Sequence, residues 1–259
     1  MNALLKTITA SKLREIDELK ATRSLLDYSK SPLFSGEIRS LKQSLIRKEF
    51  GIIAEIKRKS PGAGIIKSDL DVAQQAALYS NSGAAAISVL TDFPFFGGST
   101  TDLLQVRNTC ELPILRKEFI LDELQLFEAR ANGADAILLI ASILEQQQAH
   151  HLTIIAKSLG MEVLFEIHSL RELDKLNDEV DLLLVNNRNL DTQTTDVNHC
   201  LQLAPFLPHS LPAVAASGIR TQEEIAHIRS AGYVGALIGE SILVNNHLNK
   251  LTSASCSLS

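Results

Sequence analysis

Apolar and polar positions follow two different rhythms along this chain. Near the start, Leu4, Leu5, Ile8, Leu13, Ile16 and Leu19 fall mostly at helical spacing with Lys and Glu between them, which predicts an amphipathic helix. A weaker helical pattern covers 37–50, and a turn-rich stretch, 29–36, joins the two. From residue 51 the rhythm changes. Short apolar runs stand at 51–57, 85–90, 113–117, 135–140, 161–167, 181–186, 212–216 and 235–238. Helical patterns at 71–80, 101–108, 122–132, 144–159, 170–176, 196–206, 221–231 and 241–248 follow them in turn. Runs that stay apolar on both faces predict strands covered on both sides, which is the signature of a parallel sheet. Eight such strand–helix units favour a closed (β/α)8 TIM barrel over an open doubly wound sheet. No GxGxxG follows the first strand, which counts against dinucleotide binding. The expected organisation is one α/β domain: a barrel over 51–248, an N-terminal helical extension over 1–50 that covers part of its mouth, and a tail over 249–259.

Composition narrows the function classes. With 259 residues, 45% of them hydrophobic, the chain has the material for one large core. A net charge of −5 argues against a broad basic surface for nucleic acid while leaving room for a local basic pocket. Cys110, Cys200 and Cys256 lie far apart, without metal-ligand spacing or a disulfide framework. No apolar run approaches the ~18 residues of a membrane span, and residues 1–20 carry charges throughout instead of the apolar segment of a secretion signal. The expectation is therefore a cytoplasmic protein whose cysteines offer no metal site. It is expected to be monomeric, with a dimer as the alternative. The chain contains no tryptophan.

In a parallel barrel the chemistry belongs at the C-terminal ends of the strands. The first strand carries Glu55 and Lys57, two residues apart and so on one face. Ile52, Ala54 and Ile56 form the opposite, helix-facing side, which turns the charged pair toward the barrel mouth. A structural ion pair is the plain alternative. Lys117 ends the third strand and shares a face with Leu115. Glu166 ends the fifth and shares a face with Leu164. His168, just beyond it, reads as a capping or solvated histidine. Asn186 and Arg188 share the inward face at the end of the sixth strand. Convergence of so many ionisable and polar groups on one rim is the mark of a functional site.

The last two strands suggest a phosphate site. Ser217-Gly218 follows the seventh and Gly239-Glu240-Ser241 the eighth. These are the loops with which barrels commonly hold phosphate through backbone N–H groups. Ser60, after the first strand, adds a hydroxyl. Phe95, Phe96 and Phe119 sit on loops above the barrel, either lining a pocket for a planar ring or packing beneath those loops.

On these residues the chain resembles the indole-3-glycerol-phosphate synthase family of tryptophan biosynthesis. The stretches that carry the resemblance are IAEIKRKSP (53–61), SVLTD with FFGGS (88–99), PILRKEFI (113–120), GADAILLI (133–140), FEIH (165–168), VNNRNL (185–190), SGIRT (217–221) and LIGES (237–241). The resemblance implies ring closure on a phosphorylated substrate, 1-(2-carboxyphenylamino)-1-deoxyribulose 5-phosphate, with loss of CO2 and water and without a cofactor. It implies Lys117 as the acid at the carbonyl oxygen, Glu166 as a base, and Lys57, steered by Glu55, as the partner of the carboxylate and an aid to the acid steps. Asn186 and Arg188 would orient hydroxyl and anionic groups. Ser60, Ser217, Gly218, Gly239 and the backbone N–H of Glu240 would hold the phosphate. Phe96, Phe119 and Leu190 would pack on the anthranilate ring.

The chain also departs from that family. The family's strand-seven pattern Ser-Glu-Ser-Gly is met by Ala215-Ala216-Ser217-Gly218, so a catalytic glutamate is matched by Ala216. Leu184 stands where the family usually has glycine, and Gly62-Ala63-Gly64 replaces the usual Ser-Lys-Gly after Pro61. These changes predict either a slowed synthase or a non-catalytic phosphosugar-binding relative.

Overall fold

The computed structural model describes residues 3–189, 192, 194–245 and 248–253. Eight strands close into a barrel: β1 (Gly51–Ile56), β2 (Ala86–Leu90), β3 (Ile114–Lys117), β4 (Ala136–Ile140), β5 (Glu162–Ile167), β6 (Leu182–Asn186), β7 (Ala213–Ala216) and β8 (Gly235–Ile238). All neighbours pair in parallel, and β1 closes on β8, with Ile53 opposite Leu237. The helices are α1 (Ala3–Thr22), α2 (Leu25–Ser29), α3 (Leu41–Arg47), α4 (Val72–Asn81), α5 (Phe93–Phe96), α6 (Thr100–Thr109), α7 (Glu123–Ala131), α8 (Gln146–Ser158), α9 (Asn198–Leu203), α10 (Gln222–Ser230), α11 (Glu240–Asn245) and α12 (Leu248–Ser253).

The pleat explains the unbroken apolar runs. Leu115, Leu138, Leu164, Leu184 and Val214 fill the barrel from inside, while Ile114, Ile137, Phe165 and Val185 lie on the helix-facing side, all fully or almost fully buried. Arg116 is the exception on that outer side. It is buried and satisfied by Thr91 Oγ1, the Gln125 carbonyl and Glu128. Consecutive residues of β3 thus divide the work, with Arg116 holding the wall and Lys117 facing the mouth.

Four local differences from the sequence pattern have physical causes. The stretch 170–176 forms a 3-10 turn (Leu170–Lys175) instead of an α-helix. Glu172 draws the backbone N–H groups of His168 and Ser169 into a tight first turn, and Lys175 reaches sideways to the carbonyls of Ala141 and Leu144. The Phe-rich loop after β2 contains α5, because Asp92 Oδ1 accepts from the N–H groups of Phe95 and Phe96. The loop after β1 folds into a two-stranded ribbon, Lys59–Ser60 against Gly64–Ile65. The segment expected as a tail begins as α12, anchored by buried Leu248 and Leu251 and by Thr252 Oγ1 donating to the Ser82 carbonyl. Among the described residues no helix is long and apolar enough to cross a membrane.

Candidate active site

A cavity of about 750 Å3 opens at the C-terminal ends of the strands. Glu55, Lys57, Ser60, Phe96, Lys117, Phe119, Glu166, Asn186, Arg188, Ser217, Gly218, Gly239 and Glu240 all line it. Leu190 lies outside the described residues.

Glu55 organises one side. Its carboxylate, 2% exposed, accepts from Lys57 Nζ at 2.6 Å through Oε1 and from Lys117 Nζ at 2.7 Å through Oε2. Burial by itself would push the Glu55 pKa up. The charges and hydrogen bonds of Lys117 and Lys57 overcome that and hold it down at about 2. Burial likewise opposes the charge of Lys117, but Glu55 and then Glu166 outweigh both that and the repulsion of Arg188, and its pKa is raised. The anion is locked between two cations that still face the cavity, with side chains 14% and 20% exposed.

Across the mouth, Asn186 Nδ2 donates to Glu166 Oε1 at 3.0 Å, and Asn186 Oδ1 accepts the backbone N–H of Arg188. Adjacent strands bring these groups together, since β5 and β6 pair Glu166 with Leu184 two residues before Asn186. His168 overturns its sequence reading. Its backbone, not its ring, joins the Glu172 capping turn, and both ring nitrogens are buried with no hydrogen-bond partner. Ala216 shares a rung with Asn186 and Leu237, on the inward face, and brings no charge there.

The β7 and β8 loops bring backbone close to the cavity. Ser217 and Gly218 follow each other in the left-handed region, φ 71° and 79°, a conformation rare for serine. Asn187 Nδ2 donates to the Ser217 carbonyl, while Asn187 Oδ1 accepts the N–H of Cys200 at the start of α9. The second asparagine of the NNR motif is therefore a brace for this loop, a role its outward direction in the pleat could have disclosed. Gly239 passes so near Glu55 that a Cβ there would sit 2.3 Å from Oε1. Ser241 Oγ ties the β8 loop to the Ile219 carbonyl, and Ser60 Oγ accepts the N–H of Ala63.

Phe96 and Phe119 meet with ring centroids 6.0 Å apart and line the cavity while packing on the core, whereas Phe95 packs on the core and is not among the lining residues. Leu4, Leu5 and Ile8 of α1 line it too. Below them Lys12 is 3% exposed and forms ion pairs with Glu15, Asp92 and Glu118. Burial opposes its charge, but Glu118, Glu15 and Asp92 raise its pKa. Asp92 caps the helix that carries Phe96, and Glu118 Oε1 accepts the N–H of Phe119. One lysine from the extension thus tethers both aromatic walls. The signal was present in the sequence: Lys12 lies on the buried stripe of α1 with Leu5, Ile8 and Ile16.

Among the described residues no group of three or more His, Cys, Asp and Glu is placed to hold a metal ion. A family profile described as "Indole-3-glycerol phosphate synthase" matches residues 5–254. A protein of that name from Bacteroides thetaiotaomicron is 42% identical over 243 residues, covering 94% of each chain. Another, from Desulfosudis oleivorans, is 46% identical over 241 residues, covering 92% of this chain and 89% of the relative. Among solved structures, a tryptophan synthase subunit alpha from Legionella pneumophila superimposes with a TM-score of 0.62 at 15% identity, covering 84% of this chain and 98% of that one; this is a likeness of fold.

Proposed function

The chain belongs to the indole-3-glycerol phosphate synthase family, and from that premise we propose how its cavity carries out that family's carboxy-lyase reaction. The substrate is 1-(2-carboxyphenylamino)-1-deoxyribulose 5-phosphate, a phosphorylated small molecule, and the product is indole-3-glycerol phosphate. The observation that carries the reading is the pair of lysines held by one buried carboxylate, facing Glu166 and Asn186 across the cavity.

The ring sits against Phe96 and Phe119. The phosphate is held by the Ser217-Gly218 and Gly239-Glu240 loops and Ser60, and Arg188 takes a further anionic group. Lys57 pairs with the substrate carboxylate and holds the ring carbon that bears it against the ketone carbon. As that carbon attacks, negative charge grows on the ketone oxygen. The Lys117 ammonium, charged because Glu55 holds it so, stabilises the charge and passes over a proton, since an alkoxide is a far stronger base than an amine. The bond to the carboxylate then breaks, its electrons restore the aromatic ring, and CO2 leaves. In the last step a lysine protonates the departing hydroxyl and Glu166, oriented by Asn186, takes a proton from the adjacent carbon.

Ala216 favours a second reading. A carboxylate matched by Ala216 would remove negative charge near the lysines, and the enzyme is then slow or only binds phosphosugar. The net charge of −5 supports a protein that binds no nucleic acid, and the reading is completed by a cytoplasmic monomer with 51–248 as its catalytic barrel and 1–50 as part of the mouth.

Incubation with the substrate while indole fluorescence is followed tests the proposal, against low background because the chain has no tryptophan. Turnover above buffer is expected. Tight product binding without turnover would leave only the phosphosugar-binding reading.

A further inference from the structure

The two ring nitrogens of His168 are buried polar atoms that the reaction leaves unused. Its backbone is pinned from both sides: its N–H donates to Glu172 Oε2 at 2.6 Å, and its carbonyl accepts from His199 Nε2 at 2.9 Å. The imidazole is therefore not adrift in a loose loop, yet neither ring nitrogen has a hydrogen-bond partner. Its Nε2 stands 3.5 Å from Glu166 Oε1, just beyond a formed hydrogen bond, and the side chain lines the cavity. A second buried orphan lies on the neighbouring strand end. Ile140 pairs with Glu166 across β4 and β5, and Ser142 follows Ile140 in the 3-10 turn Ala141–Ile143. Ser142 Oγ is also buried without a partner, and Ser142 lines the same cavity. The Ser142 turn is itself fixed by Lys175 on the Ala141 and Leu144 carbonyls. Buried polar atoms are normally satisfied, and native exceptions cluster at functional sites.

We propose that His168 is the proton acceptor for Glu166 and passes the proton on to solvent in the cavity. The proposal rests on Glu166 being the base of the dehydration step. The proton taken from the substrate carbon forms an O–H bond on Glu166. That bond breaks as an N–H bond forms at Nε2 of neutral His168, which carries its own hydrogen on Nδ1. The carboxylate is regenerated and the imidazole becomes imidazolium. The imidazolium then releases the Nε2 proton to solvent in the cavity that the side chain lines, which restores neutral imidazole with its hydrogen on Nδ1 for the next cycle. Imidazole suits the task because it both binds and releases a proton near neutral pH. Glu166 itself is only 4% exposed, so its own exchange with bulk solvent is restricted.

The test uses the full chain, the substrate named above, and His168→Gln, Glu166→Gln and the double variant. Gln keeps polar atoms at the position but cannot relay a proton. His168→Gln is expected to lower kcat about 10²-fold with KM changed less than about threefold. In the Glu166→Gln background it is expected to add nothing, because residues acting as one unit are not additive. A His168→Gln kcat within twofold of the parent overturns the proposal, as does a loss confined to KM or a full multiplicative loss in the double variant. If the Gln variant does not fold, His168→Asn repeats the measurement. A Glu166→Gln enzyme with parental kcat instead overturns the assignment of Glu166 as base, an outcome distinct from an inert His168→Gln beside a crippled Glu166→Gln.

Discussion

Two ionic clusters sit near one another at the top of this barrel, built from the same residue types. In one, Glu55 holds Lys57 and Lys117. In the other, Lys12 holds Asp92, Glu118 and Glu15. The carboxylates of Glu55, Asp92 and Glu118 are equally buried, with side chains at most 3% exposed. The cations differ. Lys12 is sealed under α1 at 4%, whereas Lys57 and Lys117 keep 14% and 20% of their side chains open to the cavity. The stoichiometry differs as well. Glu55 has two cations, so either can turn to a substrate without leaving a bare buried charge. Asp92 Oδ2 makes no hydrogen bond and meets the Lys12 ammonium at 3.2 Å, so removing Lys12 strands it. Access and redundancy separate a catalytic ion cluster from an architectural one.

This contrast can be broken most forcefully at Lys12. Lys12→Met is expected to lose about 3–5 kcal/mol of stability in denaturant unfolding, the usual result of orphaning a buried charge, while the folded fraction keeps kcat within about tenfold. A stability change below about 1 kcal/mol would place both clusters in one class. Lys57→Met is expected to do the reverse: kcat falls about 10²-fold and Tm moves by less than about 2 °C, because Glu55 keeps Lys117. Ala216→Glu, which puts a carboxylate on the rung shared with Asn186 and Leu237, is expected to raise kcat about 10²-fold; an unchanged rate refutes a catalytic role for a carboxylate at that position. The smallest effect is in acid. Glu55 has its pKa depressed from 4.5 to about 2. Its contribution to stability is present above pH 4.5 and is lost as pH falls toward 2. Glu55→Gln should therefore flatten the acid limb of a stability–pH curve over that window.

The part of this arrangement that follows chain periodicity was legible beforehand. The strand boundaries matched within one or two residues because buried parallel strands read as unbroken apolar runs. The two-residue period then turned Glu55, Lys57, Lys117, Glu166 and Asn186 to the mouth. What periodicity does not carry is contact across strands. The Lys117–Glu55 pair joins residues 62 apart in sequence, and only closure of the barrel brings them together. The setting of His168 does not follow from the pattern because one residue past a strand end the period no longer applies, and the 3-10 turn that follows depends on Glu172 and Lys175. α5 was missed because Phe-Pro-Phe-Phe has no amphipathic period and owes its helix to the Asp92 cap. Lys12 was visible as a charge on an apolar stripe, but its partners on two barrel loops were not.

The most direct measurement is the turnover of Lys117→Met at saturating substrate, followed by indole fluorescence beside thermal unfolding of the same sample. Glu55 remains paired with Lys57 in that variant, so no buried charge is left bare. The account predicts a kcat about 10³-fold below the parent, a Tm within about 2 °C, and product binding retained. A kcat within tenfold of the parent, or a Tm collapse that accounts for the lost activity, would contradict the claim that this cluster exists for chemistry.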